Sequence, residues 1–355
     1  MRTIYLIRHA KPETGGRRMC IGTTDLPIGT LGRLQSVILS AVMREKHVQQ
    51  VFCSDLQRSI QTARFLTSDP VIIPDLREMH AGEWDGLDFE EIQRRWPSLY
   101  ERRGADPNIP IPGAEDVREG QQRFLQAVQT ALAQSTGDIA IVAHITVIQT
   151  LICHVLGIPP TQCRKFRLDH CSVTQLYYNG QFQLEKIGAK PQPTLDEAMC
   201  RSLLRAAQVP EQVIRHCEAV RRKALDITAS LAQTGIVLDS GLISAAALLH
   251  DIARTQKDHV GVGADWLNAL EYPEVSGIIR SHHDYDGNAV NEHAVVYLAD
   301  KVIRESEEVT ILERFRESSK KCRDEAAAAA HQKRLEQAIR IRDAVNELCG
   351  KEVVL

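Results

Sequence analysis

The first half of the chain alternates short apolar runs with longer segments whose apolar positions recur every three to four residues. The short runs have the length of buried strands, and the longer segments have the period of helices packed on one face. This alternation predicts an α/β sandwich. The predicted strands are residues 4–7, 51–53, 71–73 and 139–143, and the predicted helices are residues 31–44, 55–66, 115–133 and 146–156.

The α/β pattern ends with a hairpin and a linker. Two further predicted strands, residues 172–178 and 182–187, flank Asn179-Gly180, a strong hairpin-turn signal. Pro191 and Pro193 then break regular structure. We therefore predict an α/β domain over residues 1–192 and an all-α domain over residues 193–355. The predicted helices of the second domain include residues 211–233, 240–253, 273–283, 292–305 and 324–348.

Composition narrows the class of protein. The net charge of −3 is too small to suggest a surface for nucleic acid, and no apolar run has the roughly 20 residues of a membrane span. We expect neither a signal peptide nor a membrane anchor. The nine cysteines include no CxxC pair, which favours neither disulfides nor a cysteine zinc site and fits a reducing cytoplasm.

Charged and imidazole side chains follow three of the predicted strands. Arg8 and His9 come directly after the first strand, Arg58 lies one helical turn after the second, and His144 closes the fourth. Open α/β sheets build their ligand crevices at the carboxyl ends of strands, so these four side chains should meet at one edge. Imidazole can attack phosphorus, and guanidinium groups stabilise phosphoryl charge. Glu78, after the third strand, is a candidate acid for the leaving group.

These residues lie in motifs that resemble the histidine phosphatase (phosphoglycerate mutase-like) superfamily. The motifs are LIRHAKP, CSDLQRSIQTA, LREMHAGEWDG, PGAED and IVAHI, in this order. The resemblance implies a three-layer sandwich, a phosphohistidine on His9, a phosphate pocket of Arg8, Arg58 and His144, and catalysis by Glu78 and His144 without a cofactor. Residues 20–27 are most similar to the α-ribazole-phosphate phosphatase branch, which favours a phosphatase over a mutase.

Two positions depart from the superfamily pattern. Ala10 stands for the Gly that commonly follows the nucleophile, and Ile145 for the usual Gly after the second histidine. The bulkier Ile145 is expected to narrow the pocket. The weaker candidates for substrate contact are His80, Glu83 and Glu115, and four histidines without motif support are interpreted as ordinary, namely His154, His170, His293 and His331.

A second group of metal-type ligands lies in the predicted all-α domain. His250 and Asp251 adjoin each other in an apolar helical segment, where burial is costly unless something binds them, and a divalent metal would do so. His216 and Asp300 lie in other predicted helices, a spacing that suits ligands converging within a bundle.

This second pattern resembles the HD-domain metal-dependent phosphohydrolase superfamily over about residues 196–310. The resemblance implies a metal site of His216, His250, Asp251 and Asp300. His259, His282 and His283 match positions that hold additional metal ions in relatives. Mixed nitrogen and oxygen ligands would accept Mn²⁺, Fe²⁺, Ni²⁺, Zn²⁺ or Mg²⁺.

The HD-type pattern also departs from its family in two places. Arg254 replaces a lysine that many members carry, and Asp286-Gly287-Asn288 lacks the Gly-Tyr-Pro of cyclic-dinucleotide hydrolases. Cyclic di-GMP hydrolysis is therefore disfavoured.

Together the two patterns predict a bifunctional phosphoesterase with small phosphorylated metabolites or nucleotides as substrates. Its first domain would hydrolyse a phosphomonoester, and its second a nucleotide or related phosphoester. The alternative is a phosphatase or mutase whose HD domain is a non-catalytic metal or nucleotide sensor.

Overall fold

The computed structural model describes residues 1–106, 108–320 and 322–354. Contacts divide the chain into two units, Met1–Pro193 and Thr194–Leu355. The first unit carries β1 Arg2–Arg8, α1 Thr30–Arg44, β2 Gln50–Cys53, α2 Gln57–Ala63, β3 Val71–Ile72, α3 Phe89–Arg95, α4 Pro97–Ala105, α5 Val117–Ala133, β4 Ile139–Ala143, α6 Ile145–Leu156, β5 Val173–Tyr178 and β6 Phe182–Ala189. Short 3-10 turns occur at Pro74–Leu76, Gly82–Trp84 and Pro160–Lys165.

The six strands form one mixed sheet in the order β3-β2-β4-β1-β5-β6. The four strands from β3 to β1 are parallel, and β5 and β6 complete the sheet as an antiparallel hairpin. In the β1–β4 register, Arg8 lies opposite Ala143, so both strands end at the same edge. His9 and His144 therefore leave the sheet side by side.

Helices cover both faces of this sheet because the side chains of β1 alternate between two apolar cores. Ile4 and Leu6 pack on one face with Phe124 of α5 and Ile148 of α6. Tyr5 and Ile7 pack on the other face, with Leu39 of α1 and Ala63 of α2 among their core partners. The expected α/β sandwich is confirmed, with helix, sheet and helix as its three layers.

The second unit is helix-rich, as predicted. It consists of α7 Glu197–Ala206, α8 Glu211–Ala232, α9 Ser240–Leu249, α10 His259–Ala269, α11 Pro273–Ser281, α12 Glu292–Lys301, β7 Ile303–Arg304, β8 Glu307–Glu308, α13 Ile311–Ser319 and α14 Glu325–Cys349. Its core includes Val220 of α8, Leu248 of α9, Ile279 of α11 and Val296 of α12, all fully buried.

Three predicted helices of this unit end at least two residues earlier in the structure, and one of them, expected over residues 273–283, ends at Ser281. The helix expected over residues 240–253 ends at Leu249, so His250 and Asp251 lie in the turn that follows it rather than inside a helix. The helix expected over residues 292–305 ends at Lys301 and is followed by the two-residue strands of a hairpin. The unit is therefore not purely α-helical.

Candidate active sites

The first candidate site is built around His9, directly after β1. The backbone N–H of His9 donates to the carbonyl of Ala143 at 2.9 Å, which fixes the residue beside the end of β4. Its side chain is buried, and Nδ1 lies 2.7 Å from the carbonyl oxygen of Ala10. Because a carbonyl only accepts, Nδ1 carries the proton and Nε2 keeps a lone pair. The ring is thus fixed in the tautomer that a nucleophile needs.

Arg58, in the first turn of α2, reaches this lone pair. Its Nε donates to Nε2 of His9 at 3.2 Å, and its terminal nitrogens donate to the carbonyls of Gly22 and Thr24, each at 2.7 Å. The guanidinium is almost completely buried, so its orientation is set by these three acceptors. The loop of residues 22–24 is therefore part of the site, because it positions Arg58.

Asp85 holds that loop in place. Its carboxylate accepts three backbone N–H bonds, from Gly22, Thr23 and Thr24, and two hydroxyl bonds from the threonines, at 2.5–3.1 Å. Burial favours the neutral acid, yet the bonds from Thr24 and Thr23 prevail and lower the pKa of Asp85 to about 2. Asp85 was not a candidate from the sequence, because its role depends on a loop about 60 residues away.

His144 follows β4 and faces His9, with ring centroids 4.9 Å apart. Its Nε2 lies 2.7 Å from the hydroxyl oxygen of Ser54, while its buried Nδ1 has no hydrogen-bond partner within the described residues. A buried polar atom without a partner is uncommon and marks a place for a ligand atom. The two predicted imidazoles are thus brought together.

Arg8 lies beside this pair and contacts a histidine that sequence reasoning missed. It donates to the carbonyl of Leu168 at 2.7 Å and to Nε2 of His170 at 2.9 Å, and its buried Nε has no partner in the part of the chain that the structure describes. The His170 ring lies 5.6 Å from that of His9. No motif surrounds His170, so only the three-dimensional contact reveals it.

Glu78 follows the 3-10 turn at Pro74–Leu76, and its buried side chain lies against the N-terminus of α6. One carboxylate oxygen accepts the N–H of Met79 and the other accepts the N–H of Thr146, both at 2.9 Å. Thr146 lies in the first turn of α6, where unpaired amides favour an anion. Glu78 is one of the charges that act on both Arg8 and Arg58, so the five predicted groups form one cluster.

Electrostatics keep both imidazoles neutral. Burial lowers the pKa of His9 well below its ordinary value, and the nearby His144 and Arg58 lower it further. Burial and the two arginines act in the same direction on the pKa of His144. A neutral imidazole retains the lone pair with which a nucleophile attacks.

The second candidate site lies where α8, α12 and the turns after α9 and α11 meet. His250 donates from Nδ1 to the carbonyl of Ala247 at 2.8 Å, which leaves Nε2 facing the carboxylates of Asp251 and Asp300, each at 3.7 Å. His216 of α8 places its own Nε2 3.1 Å from Oδ1 of Asp300. The four predicted ligands therefore converge from three elements, namely α8, α12 and the turn after α9.

Asp300 is fixed by the residue that follows it. Nζ of Lys301 donates to Oδ2 of Asp300 at 2.7 Å and to the carbonyl of His282 at 3.1 Å, and lies 4.9 Å from the centre of the Tyr297 ring. Burial opposes ionisation of Asp300, but Lys301 and His216 hold its pKa well below the ordinary value. The carboxylate is thus ionised and oriented.

Three further histidines adjoin this cluster. The rings of His282 and His283 are 4.3 Å apart, and His259 lies 5.1 Å from His283. His282 donates from Nδ1 to the carbonyl of Ile279 at 2.6 Å, and its ring is 5.1 Å from that of His250. Arg254, which replaces the common lysine, donates to Nε2 of His259 at 3.0 Å.

The donor set fits metal ions. Potential ligand atoms lie within 4.8 Å of one another in two groups, one of His216, His250 and Asp251, and one of His259, His282 and His283. Among the described residues, Nε2 of His250, Nε2 of His282 and Oδ1 of Asp251 are buried without a hydrogen-bond partner. In each of these two histidines, Nδ1 is bonded to a backbone carbonyl, the outer contact that orients metal-binding imidazoles.

The weaker candidates divide between two surroundings. His80 and Glu115 line a cavity of about 690 Å³ beside Glu78, whereas Glu83 is not among its lining residues. Glu115 is paired with Arg123 at 2.8 Å. Ile145, expected to narrow the pocket, packs partly against the apolar core and lines another cavity, of about 520 Å³, together with Arg8.

Several known proteins that are similar to the first unit are named as phosphatases or mutases. The chain belongs to the histidine phosphatase superfamily (branch 1), whose family model matches residues 4–189, and residues 213–305 match the HD domain. The adenosylcobalamin/alpha-ribazole phosphatase of Escherichia coli is 29% identical over 188 residues, which are 50% of this chain and 91% of that protein. The putative phosphoserine phosphatase 2 of Hydrogenobacter thermophilus is 24% identical, over 51% of this chain and 92% of the relative.

Similarity to mutases and to solved structures covers the same half. A probable phosphoglycerate mutase GpmB of Serratia proteamaculans is 27% identical over 50% of this chain and 85% of its own length. The structure of Bacillus stearothermophilus YhfR superposes with a TM-score of 0.50 at 26% identity and covers 53% of this chain and 98% of that one. Among the described residues, no helix is long and apolar enough to cross a membrane.

Proposed function

We propose that the first unit hydrolyses phosphomonoesters through a phosphohistidine on His9. The observation that carries this proposal is the buried cluster itself: a neutral imidazole with a lone pair on Nε2, a second imidazole 4.9 Å away, and two arginines around them. Phosphoryl transfer requires a nucleophile surrounded by positive donors. The relatives include phosphatases and probable mutases, and we infer hydrolysis because residues 20–27 resemble the α-ribazole-phosphate phosphatase branch.

In the first step, Nε2 of His9 forms a bond to phosphorus while the bond from phosphorus to the ester oxygen breaks. Arg58 then donates its Nε–H to a phosphoryl oxygen instead of to His9. Arg8 and the N–H at Nδ1 of His144 donate hydrogen bonds to the other phosphoryl oxygens. Glu78 takes up a proton when the substrate binds and passes it to the departing oxygen as a general acid. The alcohol then leaves and the phosphoryl group stays on His9.

In the second step, water attacks the phosphorus of phosphohistidine and passes a proton to Glu78, as the phosphorus–nitrogen bond breaks. Inorganic phosphate leaves, and His9 regains its lone pair. Throughout, Asp85 keeps the loop of residues 22–24 in the position that orients Arg58, so it acts as a positioning residue.

For the second unit, we propose metal-dependent hydrolysis of a nucleotide or a related phosphoester. His216, His250, Asp251 and Asp300 would hold one ion, and His259, His282 and His283 would complete a site for another. A bound divalent metal lowers the pKa of a water molecule, which makes hydroxide available near neutral pH. The chain's own part is to orient the ligands: backbone carbonyls fix the tautomers of His250 and His282, and Lys301 fixes Asp300.

A regulatory role for the second unit is the competing proposal. Its support is Arg254, an exposed cation beside Asp251 and His259 whose charge would also bind a phosphate ligand. A sensor predicts that changes at His250 alter the rate of the first unit without removing a separate activity.

The test is phosphate release by the full chain, measured with phenyl phosphate in the presence of chelator and with bis(p-nitrophenyl) phosphate in the presence of Mn²⁺. His9→Ala should abolish the first activity and the acid-labile label left by ³²P substrate, while retaining the second. His250→Ala should do the reverse and lower the bound metal. His154→Ala, at an exposed histidine of α6, is the matched control.

Retention of the acid-labile label in His9→Ala would refute the proposal that His9 is the nucleophile. Loss of metal without loss of diester hydrolysis would refute catalysis by the second unit. Transfer of the phosphoryl group to an added alcohol, with no release to water, would indicate a mutase.

A further inference from the structure

The cavity beside Glu78 has a volume of about 690 Å³, enough for more than a phosphoryl group. Gly22, Glu78 and Thr146 form the part of its wall that belongs to the catalytic cluster. Aromatic side chains, Trp84 and Tyr100 among them, form another part. The leaving group of a phosphomonoester held at His9 would extend into this space.

Three guanidinium groups also line the cavity, from Arg103, Arg118 and Arg164. Within the described residues, none of the three has a carboxylate partner at ion-pair distance. Arg118 and Arg164 donate no side-chain hydrogen bond there either. A concave surface with unpaired cations attracts anions.

The carboxylates that line the same cavity are already bonded. Glu78 accepts two backbone N–H groups, Glu115 is paired with Arg123, and Asp116 caps the N-terminus of α5. These acids therefore have hydrogen-bond partners other than the three arginines. The cations stay available to an incoming ligand.

Arg103 and Arg164 are close enough to repel each other. Two contacts orient the side chain of Arg103: it donates a hydrogen bond to the carbonyl of Ile109, and its guanidinium carbon lies 5.5 Å from the centre of the Trp84 ring. Burial lowers the pKa of Arg103, and the charge of Arg164 lowers it further. Bringing two like charges together costs free energy that an anion between them would recover.

We propose that the natural substrate is a phosphomonoester with a second anionic group, carboxylate or phosphate, which Arg103 and Arg164 bind. This inference rests on the proposed function of the first unit, because it places the phosphate at His9 and the second anion at the arginines that line the neighbouring cavity. Guanidinium groups suit this role, since they pair with both kinds of oxyanion through two parallel hydrogen bonds.

The test compares three substrates that share one leaving-group ring: phenyl phosphate, 4-carboxyphenyl phosphate and 4-(phosphonomethyl)phenyl phosphate. For each variant, kcat/KM of the charged substrate is divided by that of phenyl phosphate and compared with the wild-type ratio, which cancels intrinsic reactivity. Arg103→Gln and Arg164→Gln should each lower this ratio at least about tenfold, mainly through KM. Arg102→Gln, at an exposed neighbour outside the cavity lining, should leave it within about twofold.

The two charged substrates distinguish the group that is bound. If the kcat/KM ratio falls only for 4-carboxyphenyl phosphate, the second anionic group of the natural substrate is a carboxylate. If it falls only for 4-(phosphonomethyl)phenyl phosphate, that group is a phosphate, and if it falls for both, the site binds either anion. Ratios equal to the wild-type value for both charged substrates would overturn the proposal, and Arg164→Gln tests it even if Arg103→Gln misfolds, because Arg164 is exposed.

Failure of the proposed function gives a different result. If the wild-type chain hydrolyses none of the three esters, the assignment of His9 fails, and the anion site is then measured by calorimetry. Tighter binding of 4-carboxyphenyl or 4-(phosphonomethyl)phenyl phosphate than of phenyl phosphate, lost in Arg164→Gln, would support the site. Equal binding of all three would overturn it.

Discussion

Replacing Asp85 with Asn tests how far the orientation of Arg58 depends on one carboxylate outside the cluster. The side chain of Asp85 is 8% exposed and accepts five hydrogen bonds from residues 22–24. The two terminal nitrogens of Arg58 donate hydrogen bonds to carbonyls of the same loop. Asn keeps the shape of the side chain but removes its charge. Its NH₂ group takes the place of one carboxylate oxygen and cannot accept the hydrogen bonds that this oxygen accepts.

The expected loss of stability follows from the pKa of Asp85. Burial opposes ionisation, yet the hydrogen bonds bring the pKa from 3.8 to about 2, and this difference corresponds to about 2 kcal/mol at pH 7. Because the pKa is lowered by folding, the contribution is fully present above about pH 4 and is lost as the pH falls toward 2. Asp85→Asn should therefore unfold about 2 kcal/mol more easily at pH 7, with a smaller difference near pH 3.

The assay is urea unfolding followed in the transition of the first unit, together with kcat toward phenyl phosphate. A displaced Arg58 should reduce kcat by roughly tenfold to a hundredfold, since small misplacements of catalytic groups cost this much. Asp69→Asn, at an exposed aspartate, is the control. If Asp85→Asn unfolds within about 0.5 kcal/mol of the wild type and keeps its kcat, the loop does not depend on this carboxylate.

Three further outcomes are expected. Burial first, and then neighbouring positive groups, hold the pKa of His9 well below its usual range, so a pH–rate profile of kcat for phenyl phosphate should lack the fall near pH 6.5 that a free imidazole would give. A Cβ at Gly22 would lie 2.6 Å from a backbone carbonyl oxygen, so Gly22→Ala should lower kcat at least about tenfold in steady-state kinetics, whereas Gly104→Ala, with open space around it, should not. Lys301→Met removes the cation that orients Asp300 of the proposed metal site and should weaken Mn²⁺ binding roughly tenfold in a metal titration, with exposed Lys257→Met as control.

Local patterns predicted most of the architecture because strands and long helices carry their own periodicity. The run at residues 139–143 is strand β4, every residue of which is buried, and Asn179-Gly180 does form the β5–β6 turn. The short helices α3 and α4 were not predicted, because they have only seven and nine residues and only Ile92 in them is fully buried. Other apolar residues of this segment pack only partly buried in the same small cluster, namely Phe89, Trp96, Leu99 and Tyr100. Where a helix ends also escaped the pattern, because the apolar run of α9 continues past Leu249 into the turn.

The candidate groups of the first site could be predicted because each follows its strand closely in the sequence. His170 and Asp85 could not, because their parts in the cluster depend on packing between segments far apart in the chain. Lys301 adjoins a predicted ligand, but its burial between a carboxylate and an aromatic ring is visible only in three dimensions.

The hydrogen bond from Arg58 to His9 has a consequence for chemical selectivity. Before a phosphate ester binds, Nε2 of His9 accepts a hydrogen bond from Arg58. This nitrogen should therefore react more slowly with alkylating or acylating reagents than a free imidazole does. A phosphate dianion is a stronger acceptor than imidazole and draws the guanidinium toward itself. In the proposed reaction, the charge of the substrate would thus release Nε2 of His9, and this protection of His9 would need no separate lid.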